Sequence, residues 1–169
     1  MMKNLVGSSG RIPAWLFAAL LVLSAGVATA GSPALPIPDA DQLLDQFRDA
    51  YLARDAEKLL ALYSQDAVFE DVLQNKTHQG KAALRESFTQ LLAMHTKIGL
   101  EDLRRIVSGN QAVWEVRYTG AISGEMLGLP EDPEYSIRAV LLFKIEKGKI
   151  RSQTDYLDVV TLKKQLKLP

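Results

Sequence analysis

The chain has 169 residues, with 20 basic and 20 acidic side chains and no cysteine. That length supports one folded domain, and the missing cysteine excludes disulfides. Balanced charge without a basic run argues against nucleic acid as a partner.

Residues 1–30 read as a cleaved secretory leader. Lys3 and Arg11 precede the apolar run Ala14–Val27, which ends in Ala28-Thr29-Ala30. The run falls short of the ~20 residues a bilayer-spanning helix needs. An uncleaved anchor is the alternative; cleavage after Ala30 would leave no stable membrane anchor. No cysteine follows to take a lipid. The expected location is the bacterial periplasm or the medium. Residues 31–38, GSPALPIP, make a tether without a packing face, and the domain runs from 39 to 169.

In chain order, Leu43, Leu44, Phe47, Ala50 and Tyr51 recur at helical spacing, with Asp39 or Asp41 as the N-cap. Asp55 opens a short second helix with Leu59, Leu60 and Leu62 inward. Asp66–Leu73 reads as a strand, the segment up to Gly80 as a polar loop, and Lys81–Met94 as a third amphipathic helix. Sheet follows: a stretch ending at the Gly109-Asn110 turn, then Gln111–Gly120, then Tyr135–Glu146. Lys147-Gly148 makes a tight hairpin turn into the last strand, Lys149–Leu157, and Asp158–Leu166 has helical spacing. Three helices with one strand among them, followed by long antiparallel strands, predict an α+β fold with helices on one face of a curved sheet. Ala139–Ile145 is apolar on both alternating faces. The helices cover one, so a homodimer partner is expected on the other.

Tyr51–Val72, Gln79–Phe88 and Val140–Leu166 resemble the SnoaL-like branch of the nuclear-transport-factor-2-like superfamily, in a pattern running from Leu43 to Leu166. The resemblance implies a cone: three N-terminal helices packed on a curved, mainly antiparallel sheet that encloses a deep apolar pocket. The closing segment, Gly148–Val159, is also similar to that of limonene-epoxide hydrolases, in which the first acid of the Asp-Tyr-x-Asp run points inward. Carried over, Asp155 is the pocket aspartate, and Gln153 and Leu157 share its face. The same register implies a pocket lined by Trp114, Val116 and Tyr118, with Ile137 and Ala139 beyond. Phe69 and Asp71 would face it from the first strand, and Leu91 and His95 from the end of the third helix. Where those hydrolases carry Arg and a second Asp, this chain has Val116 and Tyr118, which argues against their mechanism. SnoaL-type cyclases use one pocket Asp as acid/base, a requirement Asp155 meets with Tyr118, His95 and Asp71 as helpers and with no cofactor.

Other readings stay open at this level. In the opposite register Ile150, Ser152, Thr154 and Tyr156 face inward, and Arg151 shares the parity of Asp155. Asp158 is either a helix N-cap or a second pocket acid. His95 either bonds a ligand or terminates its helix, and His78 reads as solvated. The two histidines lie 17 positions apart, with no second ligand at zinc spacing, so no metal site is expected. The loop Met126–Leu129 is either a pocket lid or a dimer contact. For function, acid/base catalysis (cyclase, isomerase or hydratase type) on a small hydrophobic molecule competes with a non-catalytic binding or dimerisation module.

Overall fold

The computed structural model describes residues 40–168; the leader, the tether and the Asp39 cap lie outside them. Helix α1 (Ala40–Leu52) buries the five residues its spacing selects. Helix α2 (Ala56–Ala61) is capped by Asp55, whose carboxylate accepts the Lys58 N–H at 2.9 Å. Strand β1 (Tyr63–Asp71) begins three residues earlier than its apolar pattern suggested. The expected polar loop contains a short strand, β2 (Lys76–Gln79), paired antiparallel with β1. Helix α3 (Gly80–Met94) runs directly into β3 (His95–Ser108). Strand β4 (Gln111–Ile122), the single-turn helix α4 (Gly124–Leu127), β5 (Glu134–Glu146), β6 (Lys149–Leu157) and α5 (Val159–Gln165) complete the order.

The six strands form one sheet in the order β2-β1-β6-β5-β4-β3, antiparallel except where β1 runs parallel to β6. The Lys147-Gly148 turn has positive φ at both residues, 52° and 71°, as its tight hairpin requires. One register shift matters for function. Along β5 and β6 the pairing moves by one residue between Lys144–Ser152 and Ile145–Ile150, leaving Arg151 as the extra residue of a bulge. The bulge lets both Ile150 and Gln153 sit inside, 0% and 2% exposed, although they differ in parity. It also removes the obstacle of a charged residue on the face of Asp155, because Arg151 turns out to pair with Asp66.

The helices pack on the concave face. Phe47 of α1 meets Trp114 and Phe143 edge-on, at centroid distances of 6.0 and 5.7 Å. The convex face carries ion pairs of Glu115 with Arg104 and Arg138, and of Arg117 with Glu101. The described residues leave that face open: β5 alternates strictly between buried and less buried residues, and Leu142 and Tyr156 are exposed.

Candidate functional site

Between the concave sheet, α1, α3 and α5 lies a cavity of about 290 Å³ with a mostly apolar wall. Asp155, Tyr118 and His95 all form part of that wall, together with Phe69, Asp71, Leu91, Ile137 and Leu157. The four remaining expected wall residues sit behind it. Trp114, Val116 and Ala139 are buried to 2% exposure or less. They have the inward parity expected of them, but Phe47 packs on Trp114, and Val116 and Ala139, register partners on adjacent strands, are fully enclosed. Gln153 is likewise enclosed, and it supports the acid instead of meeting the cavity.

That support is a buried chain of hydrogen bonds. The Tyr63 hydroxyl donates to Gln153 Oε1, and Gln153 Nε2 donates to Asp155 Oδ1 at 2.7 Å. The amide orientation is thereby set, and Oδ2 of Asp155 is left for a proton and a ligand. Asp155 is half-buried with its open side on the cavity, and protein packs closely round the carboxyl. Desolvation therefore dominates and pushes its pKa up to about 7; the Gln153 bond opposes this and the Asp71 carboxylate adds to it. Asp71 is the direct register partner of Asp155 across the parallel β1–β6 pair, which explains the second influence.

Around the acid stand phenols. Burial holds Tyr51, Tyr63 and Tyr118 well above the ordinary tyrosine range, and the nearby Asp155 carboxylate raises each further. Tyr135 is pushed up to about 12, also by burial. All four are neutral hydrogen-bond donors at physiological pH. Tyr135 raises Tyr51 further, and Tyr51 lies against Tyr118 with ring centroids 5.3 Å apart.

His95 ends its helix and also forms cavity wall. It stands where α3 yields to β3, and its Nδ1 lies 2.7 Å from the Leu91 carbonyl in the last turn while the ring forms cavity wall. Its pKa is lowered, first by burial, against the Leu91 bond, with the Arg54 guanidinium adding to the depression. Asp158 is the cap of α5, accepting the Thr161 N–H at 3.1 Å. The cap starts the helix that brings Leu162 to the cavity. His78, read as solvated, is half-buried and stacks on Phe69 at 5.8 Å. Its place in β2, opposite Phe69 in register, explains the difference. Met126 points to solvent, and the α4 segment takes no part in the cavity wall.

The sequence reading missed Tyr51 and Tyr135. Tyr135 shares the parity of Ile137 and Ala139 and was legible by extending the register two residues. Tyr51 is one of the α1 apolar stripe, and nothing in that stripe distinguishes a cavity-facing member from a packed one. Among the described residues no group of acids and histidines is arranged to hold a metal ion, and no helix is long and apolar enough to cross a membrane.

Comparison with known proteins follows the same lines. The family model of the SnoaL-like domain matches residues 44–153. A candidate SnoaL-like polyketide cyclase from Shewanella denitrificans superimposes with a TM-score of 0.69 at 21% identity, covering 79% of this chain and 98% of the other. A candidate polyketide cyclase from Pseudomonas putida gives 0.63 at 25% identity, over 75% and 97%. A protein of ketosteroid isomerase-like fold from Catenulispora acidiphila, solved with trimethylamine, gives 0.67 at 19%, over 76% and 94%. With the family model spanning most of the domain and the same α+β cone in each neighbour, this chain belongs to the SnoaL-like family of the nuclear-transport-factor-2-like superfamily.

Proposed function

We propose that this chain is an exported domain, periplasmic or secreted, that takes a small, largely apolar molecule into its cavity and moves a proton on it with Asp155, without a cofactor. The observation that carries this reading is the Asp155 carboxyl itself: set in an apolar wall, held by Gln153, and titrating near 7. Such a group both gives and takes a proton at physiological pH. Protonated, it donates to a carbonyl oxygen; ionised, it removes a proton from the carbon beside one. The neutral Tyr118 hydroxyl is a donor for the oxygen on which charge develops. Double-bond isomerisation is these two steps in sequence. In ring closure the carbanion so formed makes the new C–C bond to a carbonyl carbon whose oxygen takes the proton. In hydration of an enone water adds to the β-carbon and gives its proton to the carboxylate, and the carboxyl returns a proton to the enolate. Neighbours named as candidate polyketide cyclases support that class. So does a neighbour named as an epoxide hydrolase/cyclase-like enzyme of pyran ring formation in salinomycin, with a TM-score of 0.63 at 17% identity. The exposed Leu142 and Tyr156 on the convex sheet face support a homodimer; no nucleic acid is involved.

The test is deuterium exchange. The protein is incubated in D₂O with a panel of apolar cyclic ketones and β-diketones, and label at the carbon next to the carbonyl is followed by mass spectrometry. Exchange above background is expected for members that fit, falling by about 100-fold or more in Asp155→Asn. Undiminished exchange in that variant removes Asp155 from the role. Binding without exchange in the wild type favours the non-catalytic module.

A further inference from the structure

The proton on His95 is fixed by its surroundings, and this defines what the cavity can bind. The Leu91 carbonyl can only accept a hydrogen bond, so the Nδ1 that lies 2.7 Å from it carries the hydrogen. Leu91 and Leu92 belong to the last turn of α3, where carbonyl groups lose their helical partners. The Arg54 guanidinium serves Leu92 at 2.8 Å and also the His95 carbonyl, while the imidazole serves Leu91. Burial and that same guanidinium disfavour a second proton on the ring. A neutral imidazole with hydrogen on Nδ1 presents a bare lone pair at Nε2. Among the described residues Nε2 has no protein donor, and the ring is cavity wall, edge-on to Tyr135 at 5.6 Å. Close to Asp155 stand phenols and the Asp71 carboxylate, and His78 and Gln90 also reach the wall; at the α3–β3 end the acceptor is the Nε2 of His95.

We propose that the cavity selects an apolar molecule bearing a hydroxyl (an enol, a phenol or an alcohol) which donates to Nε2 of His95. An ether or an aprotic ketone at the same point sets lone pair against lone pair and leaves Nε2 unsatisfied, whereas a hydroxyl completes it. This rests on the small-molecule reading of the cavity and specifies its substrate class: the donor end of the ligand lies toward α3 and β3, and its acceptor end toward Asp155.

The probes are 2-naphthol and its methyl ether, 2-methoxynaphthalene, and the observation is by long-range ¹H–¹⁵N NMR of the imidazoles with affinities from the same titrations. The chain has two histidines, and His95→Phe assigns the signals by removing one set. Without probe, His95 is expected as the Nδ1–H form at pH 7. With 2-naphthol its Nε2 resonance shifts, and the naphthol binds at least about tenfold more tightly than the ether, a preference that His95→Phe abolishes. Should that variant fail to fold, the wild-type tautomer and the probe pair decide on their own. A hydrogen on Nε2 in the free protein, or equal affinity for the two probes, overturns the inference and leaves the pocket reading standing. Failure of both probes to bind overturns the two together.

Discussion

Replacing Asp155 by Asn should make the protein more stable above neutral pH and change the shape of its pH–stability curve. The folded chain holds the Asp155 proton to about pH 7, while the unfolded chain releases it near the ordinary value of 3.8. Between those limits the native state binds more protons than the unfolded one, so stability falls as pH rises through this window and levels off above it. A shift from 3.8 to about 7, at about 1.4 kcal/mol per unit, amounts to roughly 4 kcal/mol. That figure is an upper one, because water in the open cavity softens the desolvation. Asn keeps an acceptor for Gln153 Nε2 and carries no titrating proton, so the variant escapes the loss. Acids such as Asp55, Asp132 and Asp158, held below their ordinary values by hydrogen bonds, act with the opposite sign: their contribution is lost as pH falls. They are common to both proteins and cancel in the difference. Urea unfolding of wild type and variant at pH 4, 5, 6, 7 and 8 gives that difference directly. It should grow in favour of Asn by several kcal/mol from pH 4 to pH 8. Parallel curves across the range would refute the desolvated acid, and so would an Asp155 carboxyl resonance titrating near 4.

Three further outcomes are expected. Gln153→Leu leaves the buried Tyr63 hydroxyl and the Asp155 carboxyl without their shared partner; it should cost about 1–3 kcal/mol in urea unfolding at pH 5 and raise the Asp155 pKa further by carboxyl NMR. Asp71→Asn removes the neighbouring carboxylate that raises Asp155; the same titration should move downward, and no movement would mean that the two carboxyls do not sense each other. Gly120→Ala places a Cβ 2.4 Å from the Lys97 carbonyl oxygen and about 3.1 Å from the Tyr135 hydroxyl. It should destabilise by about 1–3 kcal/mol, with Tyr135 ring signals displaced in the NMR spectrum.

How far the site could be read beforehand depended on which physical variable set each residue's place. Parity is local, but alternation does not say which parity faces in: β5 is apolar on both, so the inward set of β4 and β5 came from the family resemblance, whereas the α1 stripe and the cap at Asp158 were legible from the residues themselves. Depth along the cone is not local. Trp114 and Tyr118 have the same parity four residues apart, yet one lies under Phe47 and the other in the cavity wall. The difference is where α1 crosses the sheet, and no residue of β4 records it. Strand β2 was missed because Lys-Thr-His-Gln has no apolar alternation to show; its pairing comes from the edge of β1. The bulge at Arg151 was equally silent, and only the unequal lengths of paired β5 and β6 segments reveal it.

The arrangement round Asp155 joins the stability prediction to the functional one. A structural carboxylate in a wall of this kind would be expected to carry an Arg or Lys partner, or to be replaced by an apolar residue of similar volume. Asp155 has neither. Its direct side-chain partner is the neutral Gln153 amide, itself held by Tyr63, and its register neighbour across the sheet is another acid. Gln153 is more useful here than a cation. It fixes the orientation of the carboxyl while opposing the pKa rise only in part, whereas a guanidinium would pull the group below its ordinary range and leave it ionised at every physiological pH. The site thus accepts a native-state cost that grows with pH, and what it retains is an oriented acid that exchanges its proton near neutrality. If the urea series shows that cost and Asp155→Asn removes it together with deuterium exchange, the stability penalty and the chemistry are properties of one group.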